Sequence, residues 1–182
     1  MLVSQINYTL TNYAEHTDKF SHDMANRYLA GDEIRLRYIW DNVKDQVIQT
    51  PYGLLVFDDT VIDKNCSRNM ELVRSQYSGN AHGVIRGIGV VTCVYVHPKI
   101  DQCWILDYRI YDPDGDGKTK SDHVQDMLQN CVYQKQLEFW AVLMDTWYAT
   151  KAVMLWMEQF GKISCCPSKN NRQVDDSGGT QP

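Results

Sequence analysis

An α/β fold, a mixed sheet of about five strands flanked by helices, is what this sequence predicts, and three observations carry that expectation. Leu54-Leu55-Val56-Phe57 is an unbroken apolar run that leads directly into Asp58-Asp59-Thr60. Phe139-Trp140-Ala141-Val142-Leu143-Met144 repeats the design and runs into Asp145 and Thr146. Between the two runs lie a long β-branched stretch, an alternating one, and then a segment with helical spacing. Unalternating apolar runs of this length belong to strands buried on both faces, inside a sheet covered by helices. A carboxylate does not belong in such an interior, so each aspartate is expected where its strand emerges from the core. That place is the carboxyl end of the strand, the edge at which open α/β sheets put their sites.

Composition bounds the possibilities. A chain of 182 residues that is 43% hydrophobic can bury one substantial core, with room for a small extra piece. Its formal charge of −5 excludes a protein that coats nucleic acid with uniform positive charge, so any contact with DNA must be local. The six cysteines form no C-x-x-C pair, and Cys165 and Cys166 are adjacent, which suits reduced, mostly buried thiols rather than a disulfide framework or a zinc site. No basic region with a long apolar core opens the chain, and no apolar run reaches membrane-spanning length. These features place the protein in the cytoplasm, without a membrane partner.

Residues 1–50 read as a helical segment. Thr17 is positioned to cap a helix carrying Phe20, Met24 and Tyr28 on one face, and Ala30-Gly31-Asp32 breaks it. Leu36, Ile39, Trp40, Val43 and Val47 then fall at helical spacing and form a stripe for packing. Polar residues follow the first strand, and among them Lys64, Arg68, Arg74 and Arg86 give the connection a local positive balance. Such a group can contact DNA phosphates or stand as a solvated surface, and the sequence supports both equally.

Turn residues at 78–83 precede the β-branched stretch of 84–96, and His97-Pro98-Lys99-Ile100-Asp101 turns the chain into an alternating strand over 102–111. In that strand Trp104, Leu106 and Tyr108 alternate with Ile105, Asp107 and Arg109, which predicts Asp107 as an outward-facing acid beside Arg109. Asp112-Pro113-Asp114-Gly115-Asp116-Gly117 opens like a calcium loop, but the loop needs a bidentate glutamate at its twelfth position and His123 stands there. A strand also precedes it where a helix is required, so it is expected to be an acidic turn.

Ser121 is a candidate cap for the next helix, with Asp122 in its first turn and Val124, Met127, Leu128, Cys131 and Val132 along one face. After Asp145, Thr150 caps a helix of Val153, Trp156, Met157 and Phe160 that ends at Gly161, and a short strand over 162–166 precedes Pro167. The polar residues 169–182 are expected to form a frayed, disordered tail. Three leading strands in an antiparallel meander and two later ones added in parallel through right-handed crossovers give the RNase H-like strand order. That order sets Asp58 and Asp145 on neighbouring strands. Two such aspartates suit Mg²⁺ or Mn²⁺, which need hard oxygen ligands and leave room for phosphate and water.

Phe57-Asp58-Asp59-Thr60, Tyr77-Ser78-Gly79-Asn80-Ala81-His82-Gly83 and Met144-Asp145-Thr146-Trp147-Tyr148 resemble the catalytic-domain blocks of bacterial insertion-sequence transposases of the DDE type. The blocks occur in the family's order, and the separation of the acids suits its core. The resemblance implies an RNase H-like catalytic core over 51–168 that acts on transposon ends and target DNA by metal-dependent phosphoryl transfer. It implies Asp58 as the first catalytic acid and metal ligand and Asp145 as the second, with Asp59 as the neighbour to test. The family's third acid is a glutamate on a later helix in a tyrosine-arginine-glutamate-lysine setting. Past Asp145 the sequence holds only Glu158, inside the pattern of the helix that directly follows. The expectation is therefore a C-terminally truncated, inactive or partial copy. Alternatives are a non-catalytic remnant that binds or interferes with intact transposase, and a plain RNase H-like nuclease; the protein partner expected is a second copy, in a homodimer, or full-length transposase.

Overall fold

The computed structural model, which describes residues 14–16, 21–31, 35–66 and 70–167, builds the β-branched stretch into the middle of a six-stranded sheet. The strands are β1 (Leu54–Asp63), β2 (Arg74–Ser78), β3 (Gly83–His97), β4 (Gln102–Ile110), β5 (Ala141–Met144) and β6 (Ile163–Cys165). The helices are α1 (His22–Gly31), α2 (Arg37–Val43), α3 (Lys120–Gln129), continued by a π-helical turn over Asn130–Gln134, and α4 (Lys151–Glu158). Two units divide them, Met1–Arg35 and Leu36–Pro182. In the first, α1 starts after Ser21, whose hydroxyl oxygen accepts the Met24 N–H at 3.2 Å, and none of its residues is buried. Thr17, Phe20, Arg68 and residues 169–182 lie outside the described residues.

In the second unit β3 is the hub. Its burial alternates without a break from Gly87 to His97, and Val91, Cys93 and Tyr95 on the buried face belong to the core. One edge of β3 pairs antiparallel with β1, and the other pairs with β2 and then β4. On the far side of β1 come β5 and then β6, both parallel to it. This is the RNase H-like order, with β2 as an added short strand. The core gathers Leu55, Phe57, Val91, Cys93 and Tyr95 from the sheet with Val124, Met127 and Leu128 from α3 and Val153 and Met157 from α4. Each fully buried side chain of this kind stabilises by roughly 1.5–3 kcal/mol. Trp40 and Val43 of α2, and Val47 beyond it, pack against that cluster.

The first strand enters through a tight contact. The Tyr95 hydroxyl accepts the Thr50 N–H at 2.9 Å and donates to the Glu138 carbonyl at 2.9 Å. A Cβ at residue 53 would lie 2.2 Å from that hydroxyl, so only Gly53 lets the chain pass into β1.

Four expectations are corrected. Asp58 does not end its strand: β1 continues to Asp63, paired with β3 down to Gly87, because the β1 and β3 ladder outruns the β5 pairing. Nor are both faces of the apolar run equally covered, since Leu55 and Phe57 are buried while Leu54 and Val56 are only half-buried. Asp107 faces inward with 5% of its surface exposed. The register slips between Cys93 and Val94, so that Cys93 pairs with Asp107 and Val94 with Ile105, and the extra residue Leu106 turns the rest of β4 over. Finally, Thr119 rather than Ser121 caps α3. Its hydroxyl oxygen accepts the Asp122 N–H at 3.2 Å, and the Asp122 carboxylate accepts the Thr119 N–H at 2.8 Å, a reciprocal capping box.

Candidate active site

Strand parity decides what the two leading aspartates do. The parallel register pairs Leu55 with Val142, Val56 with Leu143 and Phe57 with Met144, and Asp58 and Asp145 stand one step beyond the last pair. Leu55, Phe57, Val142 and Met144 are buried, which assigns Val56 and Leu143, and therefore both aspartates, to the less covered face. There the two acids line one open cleft of about 500 Å³ together with Val56, Leu143, Cys165 and Cys166.

Both carboxylates are exposed, and among the described residues both are held only by local bonds. Asp58 Oδ1 accepts the N–H of Asp59 at 2.9 Å. Asp145 Oδ1 accepts the N–H of Thr146 at 2.6 Å and its hydroxyl at 3.0 Å. No lysine, arginine or histidine among the described residues forms an ion pair with either. Most of their lone pairs point to solvent and are available to a ligand.

Asp59, one residue on, has the opposite parity and a different fate. Its Oδ2 is 2.5 Å from Lys120 Nζ at the start of α3, and its Oδ1 accepts the Tyr148 hydroxyl at 2.7 Å. Tyr148 is 2% exposed, and its N–H donates to the Asp145 carbonyl at 3.0 Å, closing the turn that follows β5. The Asp59 and Tyr148 bond thus ties the strand of Asp58 to the turn of Asp145 from behind. Burial, first, and then the hydrogen bond to Asp59 and the negative charges of Asp59, Asp58 and Asp145 raise the Tyr148 phenol well above its ordinary pKa. It stays protonated and donates. Asp59 is committed to these partners, which removes it as an alternative ligand on the open face.

A side cleft of about 320 Å³ next to this bond is lined by Tyr77, Tyr111, Lys120, Trp147 and Tyr148. Tyr77 of the second sequence block and Trp147 and Tyr148 of the third share this cleft, and Asp59 of the first reaches it through its bond to Tyr148. Past Asp145, Glu158 is exposed near the end of α4. Among the described residues no three His, Cys, Asp or Glu side chains gather in a metal-binding group.

The basic residues divide. Arg74 is spent on the acidic turn, 2.5 Å from Asp112 Oδ1 and 3.1 Å from Asp114 Oδ2, and its guanidinium lies 5.8 Å from the Tyr111 ring centre. Two carboxylates of the calcium-like loop are thereby engaged by an arginine. Lys64 and Arg86 sit together at the far end of the β1 and β3 arm, where the Lys64 N–H donates to the Arg86 carbonyl at 2.9 Å. Arg86 is exposed and Lys64 half-buried. Sequence reasoning missed Lys120 and Tyr148. The parity of Asp59 relative to Phe57 was the available signal for the first contact, whereas no local pattern links residue 59 to residue 120.

No protein-family model matches the chain, and no curated protein matches it. Among solved structures, the chain is similar to the piggyBac transposase in a synaptic complex with hairpin DNA, at a TM-score of 0.48 and 15% identity. The match covers 90% of this chain and 34% of that one, so the chain spans about a third of that protein's length. No helix among the described residues is long and apolar enough to cross a membrane.

Proposed function

We propose that residues 51–168 form the catalytic core of a DDE-type DNA transposase of the insertion-sequence kind, with Asp58 and Asp145 as its first two acids. One observation carries this reading: two aspartates from adjacent parallel strands, in register and without an ion pair among the described residues, open on a single cleft. Two hard, solvated carboxylates fit Mg²⁺ or Mn²⁺, which commonly keep several waters and take one or two protein carboxylates alongside substrate phosphate. When bound there, such an ion supplies Lewis-acid polarisation of a phosphate oxygen and a more acidic water.

The chain's own contribution is placement. Asp58 is fixed by antiparallel pairing with β3, and the Thr92 hydroxyl donates to its carbonyl at 3.2 Å. Asp145 is fixed by its bonds to Thr146 and by the Tyr148 turn. Lys64, Arg86 and Arg68 are the residues we assign to DNA phosphates, with Arg74 supporting the acidic turn instead. With two acids and no third at the cleft among the described residues, the chain is expected to bind the ion weakly and to nick DNA poorly. The same deficit favours a second reading, a partner that pairs with an intact transposase without cutting.

Both readings face the same measurement. Millimolar Mn²⁺ is expected to raise the melting temperature of the chain, since a ligand that binds only the folded state stabilises it. Asp58→Asn and Asp145→Asn should each remove that increment, while Asp112→Asn and Asp114→Asn should leave it. A Mn²⁺ increment that survives both catalytic-face changes would overturn the site. Incubation with labelled transposon-end DNA then separates the two readings: efficient, Asp145-dependent nicking would show that two acids suffice.

A further inference from the structure

A second constellation of charges lies apart from Asp58 and Asp145. Between α2, β4 and the π-helical turn is a cavity of about 400 Å³. In its depth Asp107 is shared by two cations: Arg109 Nη1 donates to Oδ1, and Lys135 Nζ is 3.6 Å from Oδ2. These side chains are only 6%, 16% and 9% exposed for Asp107, Arg109 and Lys135. At the mouth Asp41 is likewise shared, 3.1 Å from Arg37 and 3.9 Å from Lys44. Four cations therefore face two carboxylates. Arg37 and Lys44 are 81% and 45% exposed, so the buried part of the cavity carries one positive charge in excess, that of Arg109 and Lys135 over Asp107, inside a chain whose formal charge is −5.

A buried cation without full compensation is costly, and a bound anion would remove that cost. The donors are also in surplus. At 3.6 Å the Lys135 ammonium is too far from Asp107 for a good hydrogen bond, and its other neighbour is the Trp40 ring, 5.5 Å away. Arg109 makes its bonds to Asp107 and to the Tyr108 carbonyl through Nη1, and among the described residues no acceptor is bonded to its Nε or Nη2. The backbone is shaped around this point as well. A π-type bond from the Lys135 N–H to the Asn130 carbonyl at 2.8 Å inserts an extra residue before Lys135, and Gln136 follows with a φ of 49°. Such π-turns are rare and concentrate at functional sites.

We propose that this cavity is a phosphate-binding site, with Lys135 and Arg109 as the inner donors and Lys44 and Arg37 at the entrance. It is distinct from any phosphate that reacts at the aspartate pair. Asp107 lies in the sheet row of Cys93 and Phe57, the buried side, whereas Asp58 and Asp145 occupy the opposite face. The phosphate can belong to a DNA backbone or be free in solution, since both present the same oxygens to the donors.

The test uses the full chain and inorganic phosphate titrated at constant ionic strength against chloride, followed by calorimetry and melting temperature. Phosphate should stabilise the chain where chloride does not. Lys135→Met, which keeps the length of the side chain, should weaken binding by about tenfold or more, as expected for loss of a charged hydrogen bond. Lys44→Gln at the exposed mouth should weaken it by about threefold, as expected for a solvated charge. Asp58→Asn should leave it unchanged, which keeps this inference independent of the proposed catalytic role. A short DNA duplex that displaces phosphate identifies the backbone as the source, and failure to displace it identifies free phosphate. Stabilisation by phosphate no greater than by chloride would overturn the proposal, as would unchanged binding in Lys135→Met. Should Lys135→Met not fold, the wild-type titration and Lys44→Gln still decide.

Discussion

Asp58 and Asp145 stand on one face of the sheet and form no ion pair among the described residues, while Asp59 and Asp107, one position and a few strands away, each face a lysine and accept a hydrogen bond from a second donor. All four come from strands of the same sheet or from its edge. What separates them is the face on which they fall. On the covered side a carboxylate survives only with compensating partners, because desolvation of an unpaired charge costs several kcal/mol. On the open side water does the compensating, and the carboxylate remains free for an ion. A strand acid is thus a candidate ligand or a structural anchor according to its parity, and the same residue type serves both ends.

The largest expected effect tests that division directly. Asp107→Ala leaves Arg109 and Lys135 buried beside each other without their shared partner, and should cost about 3–5 kcal/mol in urea unfolding. Asp58→Ala, on the open face, should change stability by less than about 0.5 kcal/mol in the absence of metal. Equal losses in the two variants would break the comparison, since parity would then not govern what an aspartate does here.

How legible this was in the sequence follows from the same argument. The two apolar runs ending in aspartate predicted adjacent parallel strands, and the structure places them side by side, because long-range pairing of buried strands leaves a strong local pattern. The positions of Asp58 and Asp145 on one face followed from that pairing. The bulge at Leu106 did not, because one inserted residue reverses parity without altering composition. The ion pair from Lys120 to Asp59 was hidden for another reason: it joins residues brought together only by the docking of α3, which no spacing encodes. The cap moved from Ser121 to Thr119 because both hydroxyls suit the role and only Thr119 has Asp122 three positions later to close the box.

A smaller effect sharpens the comparison on the anchor side. Tyr148→Phe removes the hydroxyl that donates to Asp59 at 2.7 Å and leaves a half-buried carboxylate oxygen without that donor, which should cost about 1–3 kcal/mol at neutral pH. The sign with pH is fixed by the raised phenol pKa. Below the ordinary tyrosine range neither folded nor unfolded chain ionises and the full stability is present; above it the unfolded chain loses its proton first, so stability falls as the solution becomes more alkaline. Unfolding midpoints from pH 8 to pH 11 should decline more steeply in the wild type than in Tyr148→Phe. Parallel profiles would show that the phenol is not held protonated by its buried partners.

The smallest effect concerns His123, the residue that stands where a calcium loop would have its glutamate. It is 2% exposed, its ring nitrogens have no hydrogen-bond partner among the described residues, and a carboxylate oxygen of Asp116 is 3.5 Å from Nε2. Burial lowers its pKa first; the negative charges of Asp116 and Asp126 oppose this, and the positive charges of Arg109 and Lys118 reinforce it. With the folded pKa depressed, the unfolded chain takes up the proton first as pH falls through the ordinary histidine value of 6.5. The stability contributed by a neutral, buried His123 is therefore fully present above that value and drains away below it, with a slope of at most about 1.4 kcal/mol per pH unit. His123→Leu should flatten the urea-unfolding profile between pH 7 and pH 5 relative to the wild type. If the two profiles keep the same slope, the covered side accepts an unpaired cation at this position, and the rule drawn from Asp59 and Asp107 would apply to carboxylates alone.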